Sequence, residues 1–501
     1  MPPYVLTDML HGHRAAFEPA TIPIAKELQS YDSPVSVTED SSLNETDKDA
    51  VRAVRRKVDR RLLAFYCVVY LFMRINATNA TNTAIMNAKT PQNIKIQLGN
   101  LTSSQWAWII SIFSYPYMFF EPPSTLLLKR FTPRVWMSRI MITWGAISMC
   151  QAATTNYSGM LACRFFLGLA EAGYYPGVLY HLSFWYPAKK LPLRIAVFYS
   201  FGVFSGTASG FLAYAISYMN KLHGLSGWQW MFILEGIPAI FLGIVAWFTL
   251  PNFPSDTKTS KLTSFLSHSE KQTLISDLPA NQPVGTAKTW DLSEARGLVT
   301  DPTFYSFNML WICHSIGGWG ISLVLPTVIY ELGLQGSTTT QLMTMPTYTF
   351  GCLFMCFFGW LIHRGTLGPW SVSIGLEVVI CACYAILLTV KKPVVKYIFV
   401  SLATACVSCV YPLMWPERIR AAKGTTGAGL GIGITNACAQ LAGIVGPQIY
   451  QTRYGPGYRL SFSVSIGMLA GAVAMMAVTF WIVRGRDRKI EQERAARLDA
   501  E

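Results

Sequence analysis

Twelve separate runs of mostly apolar residues punctuate this 501-residue chain. Each is about twenty residues long, the length a helix needs to cross the hydrocarbon of a bilayer. No water is available there to satisfy backbone polar groups, so each run is predicted to be helical. The runs lie near 62–84, 106–127, 135–153, 158–181, 195–219, 228–250, 303–325, 340–362, 370–390, 395–415, 425–450 and 459–483, and are called spans 1 to 12. Only 14% of residues are charged and 51% are hydrophobic, whereas soluble domains are about a quarter charged. A disordered chain, a small disulfide scaffold and an ordinary soluble enzyme are excluded. All eleven cysteines fall inside the runs. They read as small apolar fillers, and neither a disulfide framework nor a metal site is expected.

The net charge of +14 has to be read by position. With the N-terminus placed in the cytoplasm, 28 Lys and Arg fall in segments assigned inside and 8 in segments assigned outside. The positive-inside bias therefore puts both termini in the cytoplasm, and nucleic-acid binding is not needed to explain the charge. Lys391, Lys392 and Lys396 form the local exception.

Residues 1–58 are expected to be a disordered cytosolic tail. The stretch 1–50 is rich in Ser, Asp, Glu, Pro and Thr and lacks the apolar core of a signal peptide. Six spans follow as an N-terminal bundle (59–250). A polar cytosolic loop (251–302), a C-terminal six-helix bundle (303–483) and a cytosolic tail (484–501) complete the chain. Six spans, a loop and six spans is the pattern of transporters built from two repeats. A trace of the repeat survives in Arg130-x5-Trp136 after span 2 and Arg364-x5-Trp370 after span 8.

Ionisable groups inside spans are costly and mark candidate functional sites. Arg74 lies near the middle of span 1, with Thr78 and Thr81 on its face and Asn76, Asn79 and Thr83 on an offset face. In span 4, Arg164 and Glu171 are seven residues apart, on one face with Gly168 and Tyr175, and about 10 Å apart along the axis. The following Gly-Tyr-Tyr-Pro-Gly is expected to bend or break the helix just beyond Glu171. A carboxylate pulled up by desolvation and down by a nearby guanidinium suits a group that takes and releases a proton. Glu121, Glu235 and Glu377 are read as structural. His314, midway along span 7, is expected either to line the pathway or to pack as a satisfied histidine. The Gly-rich stretch Gly424–Gly433 is read as close helix packing or a gating bend, because no strand precedes it and no Lys-Ser/Thr ends it.

These motifs resemble the major facilitator superfamily. Within it, the chain is most similar to the fungal allantoate-permease branch of the anion:cation symporters, which includes nicotinate, pantothenate and biotin transporters. The resemblance covers about 59–483. It rests on Arg164-Phe165, Gly168, Glu171-Ala172-Gly173, Pro176-Gly177 and Trp185-Tyr186 through Arg194; on Pro123-Ser124, Lys129-Arg130, Pro133-Arg134 and Trp136; on Gly227-Trp228-Gln229-Trp230 through Glu235-Gly236 to Leu250-Pro251; and on Tyr454, Pro456, Gly457 and Tyr458. It implies an all-α membrane protein of 12 transmembrane helices in two six-helix bundles, with spans 1, 4, 7 and 10 around a central cavity. It also implies arginines in spans 1 and 4 that receive organic anions, here Arg74 and Arg164, and a proton-carrying carboxylate, here Glu171. The family's usual Asp-Arg of span 1 reads Met73-Arg74 in this chain.

The expectation is a monomeric secondary transporter of a small organic anion in the plasma membrane, coupled to protons, with no cofactor. Arg74, Arg164, Asn76, Tyr175 and His314 are expected to bind substrate and Glu171 to couple the proton. The alternative on the same scaffold is an exporter of a fungal secondary metabolite. A transporter-like nutrient sensor is more remote, since the tails do not demand one. A polytopic membrane enzyme would need a His- or Cys-based constellation near an interface, and His314 has no paired acid in the sequence.

Overall fold

The computed structural model describes residues 45–187, 190–254, 265–276, 292–333, 336–421, 425–455 and 457–498. The chain separates into two compact units, Met1–Ala50 and Val51–Glu501. All the spans lie in the second. The described residues are helix and loop, with no strand among them.

Eight of the described helices are long and apolar enough to cross a membrane unaided, and the pair Pro302–Ser322 and Leu325–Glu331, bent by 52°, makes a ninth passage. The other passages are those of spans 2, 3 and 4. Span 2 is Ser103–Ser111 followed by Ser114–Arg130, span 3 is Pro133–Gln151, and span 4 is Tyr157–Glu171 followed by Tyr174–Ser183. These three contain Glu121, Arg134, Arg139, Arg164 and Glu171, and two of them are broken. Together the passages follow the twelve predicted runs in order.

The breaks have local causes. Pro116 has no N–H for the Ile112 carbonyl four residues back, and span 2 breaks at Ile112–Phe113. Pro326 stands in the same relation to Ser322, where span 7 bends. Span 4 ends at Glu171 because Ala172 turns extended and Gly173 adopts φ +87°, a conformation that favours glycine. The prediction of a break beyond Glu171 holds. Helix Ser114–Arg130, by contrast, runs through both Pro122 and Pro123.

Some boundaries differ from the sequence reading. Of the expected disordered tail, residues 1–44 lie outside the described residues, but Glu45–Val58 is helical. Its Val51, Val54 and Val58 recur at helical spacing and are buried. The helix of span 12 continues to Leu498, into the expected tail. The loop 251–302 contains helices His268–Ser276 and Leu292–Thr300, while 255–264 and 277–291 lie outside the described residues. Arg418, counted to a cytoplasmic loop, is 1% exposed within the helix Pro393–Ala421. Its Nε donates to Thr435 Oγ1 at 3.1 Å, and Thr435 donates to Asn308. Gly431 leaves the room for this guanidinium, because a Cβ there would collide with Arg418 Nη2.

In lipid, helices associate by close packing rather than by hydrophobic burial. Span 5 (Leu191–Ser217) meets span 8 (Ser337–His363) along Gly206 and Gly210, while Gly202 sits against the Tyr70 ring of span 1. A Cβ at Gly206 would enter the Tyr348 ring, and one at Gly210 would meet Thr344 and the Gln341 carbonyl. Span 2 approaches span 11 (Thr425–Ala439 and Leu441–Ile449) as closely, with Gly443 against Ser114.

Hydrogen bonds tie the halves together along these seams. Thr81 donates to the Leu323 carbonyl at 2.8 Å, and Gln341 to the Asn82 carbonyl at 2.9 Å. Ser111 donates to the Ile444 carbonyl at 3.0 Å and accepts from Gln448, and Ser103 pairs with Thr452. These five lie toward the predicted outer end. Thr207 pairs with Thr349 at 3.1 Å, and Cys352 Sγ donates to the Ser200 carbonyl. Asn436 donates to Glu121 at 2.7 Å.

Candidate functional site

The polar spans converge on a cavity of about 170 Å3 between the two halves. Spans 1, 4, 7 and 10 contribute to its wall, as expected, and spans 2, 5 and 11 contribute as well. The wall is largely aromatic, with tyrosines from spans 1, 2, 4, 5 and 10 and tryptophans from spans 7 and 10.

Both predicted arginines line it. Arg164 is 3% exposed. Its Nε donates to the Ile109 carbonyl at 3.2 Å, in the last turn of the first segment of span 2. The Pro116 break thus leaves a helix end, with its partial negative charge, facing a buried cation. The same guanidinium lies 5.1 Å from the Phe113 ring centre. Gly168 makes this crossing possible, because a Cβ there would strike the Phe113 carbonyl. Arg164 Nη1 is buried and has no hydrogen-bond partner among the described residues. Unpaired buried donors are rare, and one on a cation is costly.

Arg74 enters the cavity from span 1, with its guanidinium 5.9 Å from the Trp319 ring centre. Trp319 closes a π-helical turn, Ser315–Trp319, in span 7. Such turns cluster at functional sites. Tyr175 lines the cavity, and its hydroxyl is buried without a partner, as are the indole N–H groups of Trp311 and Trp319. Glu171 is 2% exposed at the end of its helix segment. Both Arg74 and Arg164 lie within electrostatic reach of its carboxylate. Met73 lines the cavity as a neutral thioether beside Arg74.

Three predicted residues do not line the cavity: Glu171, although both arginines of the wall act on its carboxylate, Asn76 and His314. Asn76 points away from it, into the interface with span 3, where its amide donates to Ser148 at 2.8 Å. Residues 74 and 76 are two apart, so a helix sends them in different directions. His314 is wholly buried, and its Nδ1 is 2.5 Å from Glu377 Oε1 on span 9. The ring of Tyr411, 4.7 Å away and edge-on, stands between His314 and the cavity that Tyr411 lines. Nothing local in the sequence marks this acid partner, which lies 63 residues away.

His181, in the second segment of span 4, completes a structural network. Its Nε2 lies 2.6 Å from the Asn252 carbonyl, which only accepts, so Nδ1 accepts from the Tyr66 hydroxyl, also at 2.6 Å. Tyr186 and Arg194, part of the family-like stretch, both bind Asp59, at 2.7 and 3.1 Å. Asn436, Trp319 and Trp311 were missed at the site. None is ionisable, and the period of a buried helix does not single out one face.

Comparison with known proteins fits this geometry. The sequence profile of the Major Facilitator Superfamily matches residues 63–447. The MFS transporter prlL of Fungal sp. strain NRRL 50135 is 28% identical over 459 residues, covering 89% of each chain. A protein of Agrobacterium vitis provisionally named a tartrate transporter is 28% identical over 452 residues, covering 89% of this chain and 95% of its own. An inward-facing crystal structure of a bacterial homologue of the human lysosomal transporter Spinster superposes with a TM-score of 0.61 at 15% identity, covering 87% of this chain and 97% of that one.

Proposed function

The chain belongs to the Major Facilitator Superfamily, and from that premise we propose that it carries a small organic anion across the membrane by alternating access, together with a proton. It is a transporter and not an enzyme. The observation that carries the proposal is the pairing of Arg74 and Arg164 on one cavity, with Arg164 Nη1 buried and unpartnered. Two guanidiniums facing one low-dielectric space repel each other when it is empty and favour an anion. A carboxylate is the planar acceptor that a guanidinium fork fits. The aromatic wall suits a flat or compact remainder.

Charge balance limits the cargo. With Glu171 ionised, the three groups sum to +1, which a monoanion neutralises. With Glu171 protonated they sum to +2, which a dianion neutralises. A dicarboxylate therefore travels with a proton on Glu171, whereas a monocarboxylate is balanced without one. The name of the Agrobacterium vitis relative points to a dicarboxylate, and the resemblance to the allantoate-permease branch favours uptake at the plasma membrane.

The test is uptake of radiolabelled small carboxylates, including tartrate and nicotinate, at two external pH values in cells expressing the protein. Arg164→Ala is expected to abolish uptake with surface expression intact, and Glu171→Gln to leave anion exchange but remove acid-driven accumulation. Unchanged uptake by a well-expressed Arg164→Ala would end the anion-receptor role. Net efflux in vesicles of known orientation would favour the exporter.

A further inference from the structure

Span 2 and span 11 are tied above and below the cavity. Above it, Ser111 bonds to Ile444 and Gln448. Phe113, Ser114 and Tyr117 then line the cavity, and one turn past Tyr117 the carboxylate of Glu121 accepts from Asn436 Nδ2 at 2.7 Å. Asn436 also lines the cavity, so this tie closes its lower edge. Glu121 itself is 0% exposed. The other ties between the halves named above join hydroxyls, amides, a thiol and backbone carbonyls. The bond between Glu121 and Asn436 is the one among them whose strength depends on a proton.

We propose that Glu121 is a second proton site of the carrier and that its hydrogen bond to Asn436 is a latch holding the inner edge of the cavity shut until the proton arrives. The inference rests on the alternating-access reading above, and it concerns a carboxylate to which that reading gives no role. An ionised carboxylate accepting from an amide forms a charge-assisted bond, about twice as strong as a neutral one. A proton added to the carboxylate makes it a neutral acid. The bond to Asn436 then becomes an ordinary one, and the seam parts more easily. Among the described residues, the titratable groups that Glu121 acts on are Tyr117 on its own helix, Tyr175 on span 4 and Cys438 on span 11. Tyr117 interacts with both Glu121 and Glu171. Tyr117 lines the cavity, and in this proposal its hydroxyl relays the proton, giving its own to one carboxylate and taking another from the other. A proton entering with the anion thus reaches the latch on the side toward which the cargo must leave.

The latch is tested without any substrate, in purified protein in lipid nanodiscs. Spin labels on Leu127→Cys and Leu430→Cys, in a background with the exposed native cysteines replaced, report the separation of the inner ends of spans 2 and 11. In otherwise wild-type protein the separation is expected to lengthen on passing from alkaline to acid buffer. Glu121→Gln, which mimics the protonated acid, should hold the long distance throughout, and so should Asn436→Ala. Infrared difference spectra should lose one acid-induced carboxylic C=O band in Glu121→Gln. A separation indifferent to pH in the wild type, or a Glu121→Gln protein that titrates like it, would overturn the proposal. Uptake by Arg164→Ala tests the anion reading independently, so either idea fails without the other.

Discussion

Arg164 Nε donates to the Ile109 carbonyl at 3.2 Å, which moors the central cation to the broken end of span 2. The mooring depends on a proline four residues past the break. Pro116→Ala restores an N–H for Ile112 and lets span 2 straighten, so that Phe113 N–H competes for the Ile109 carbonyl. A hydrogen bond to a charged group is worth about 1.5–3 kcal/mol. Anion affinity is expected to fall roughly tenfold or more, read as a rise in half-saturating substrate with little change in expression.

Gly206 sits where the Tyr348 ring of the opposite half leaves no room for a Cβ. Gly206→Val forces spans 5 and 8 apart. Overpacking of this kind costs about 1–3 kcal/mol, so the melting temperature of the purified protein should drop by several degrees and transport should slow. A valine variant as stable and active as the wild type would show that the crossing yields freely.

His181 holds the Tyr66 hydroxyl and the Asn252 carbonyl together away from the cavity. His181→Ala leaves the Tyr66 hydroxyl buried without this partner, at about 1–3 kcal/mol, while Trp185 still donates to the Asn252 carbonyl. Thermal stability should fall, while the half-saturating substrate concentration of the folded fraction stays the same. A selective change in substrate affinity would instead place His181 in the transport path.

Lys95, in the short helix Ile94–Gln97 between spans 1 and 2, is held at about 8 by burial, against the opposing pull of Glu331. Its ordinary value is 10.5. Between these two pH values the unfolded chain keeps a proton that the folded protein has released, so stability rises with pH through that window. Melting curves across the window should show this rise, and Lys95→Met should remove its share. An identical pH slope in the methionine variant would assign the effect to another group.

The helices were legible because bilayer thickness imposes a length that apolar runs reveal directly. Arg74, Arg164 and Glu171 were legible because ionisable groups seldom sit in such runs without a reason. Asn76 was misplaced by judging residues on chemistry rather than on helical angle, since two positions from Arg74 is most of the way round. The link from His314 to Glu377 was hidden because nothing local marks a pairing 63 residues apart. The spacing of Gly206 and Gly210 is present in the sequence, but it does not name Tyr348 as the partner. Helix Glu45–Val58 was missed because polar composition outweighed the three-to-four spacing of its valines.

Apart from the electrostatic pull between Lys95 and Glu331, the ties at the outer end are neutral: Thr81 to a carbonyl, Gln341 to a carbonyl, Ser111 to a carbonyl and to Gln448, Ser103 to Thr452. Each such contact contributes about 0.5–1.5 kcal/mol net. Inverting a two-state population from 1:99 to 99:1 takes about 5.5 kcal/mol, comparable to the handful of them together. A closure stitched from uncharged threads unpicks one at a time and meets no single steep barrier, so a modest preference of one bound ion for the closed or open form is enough to drive the cycle in either direction.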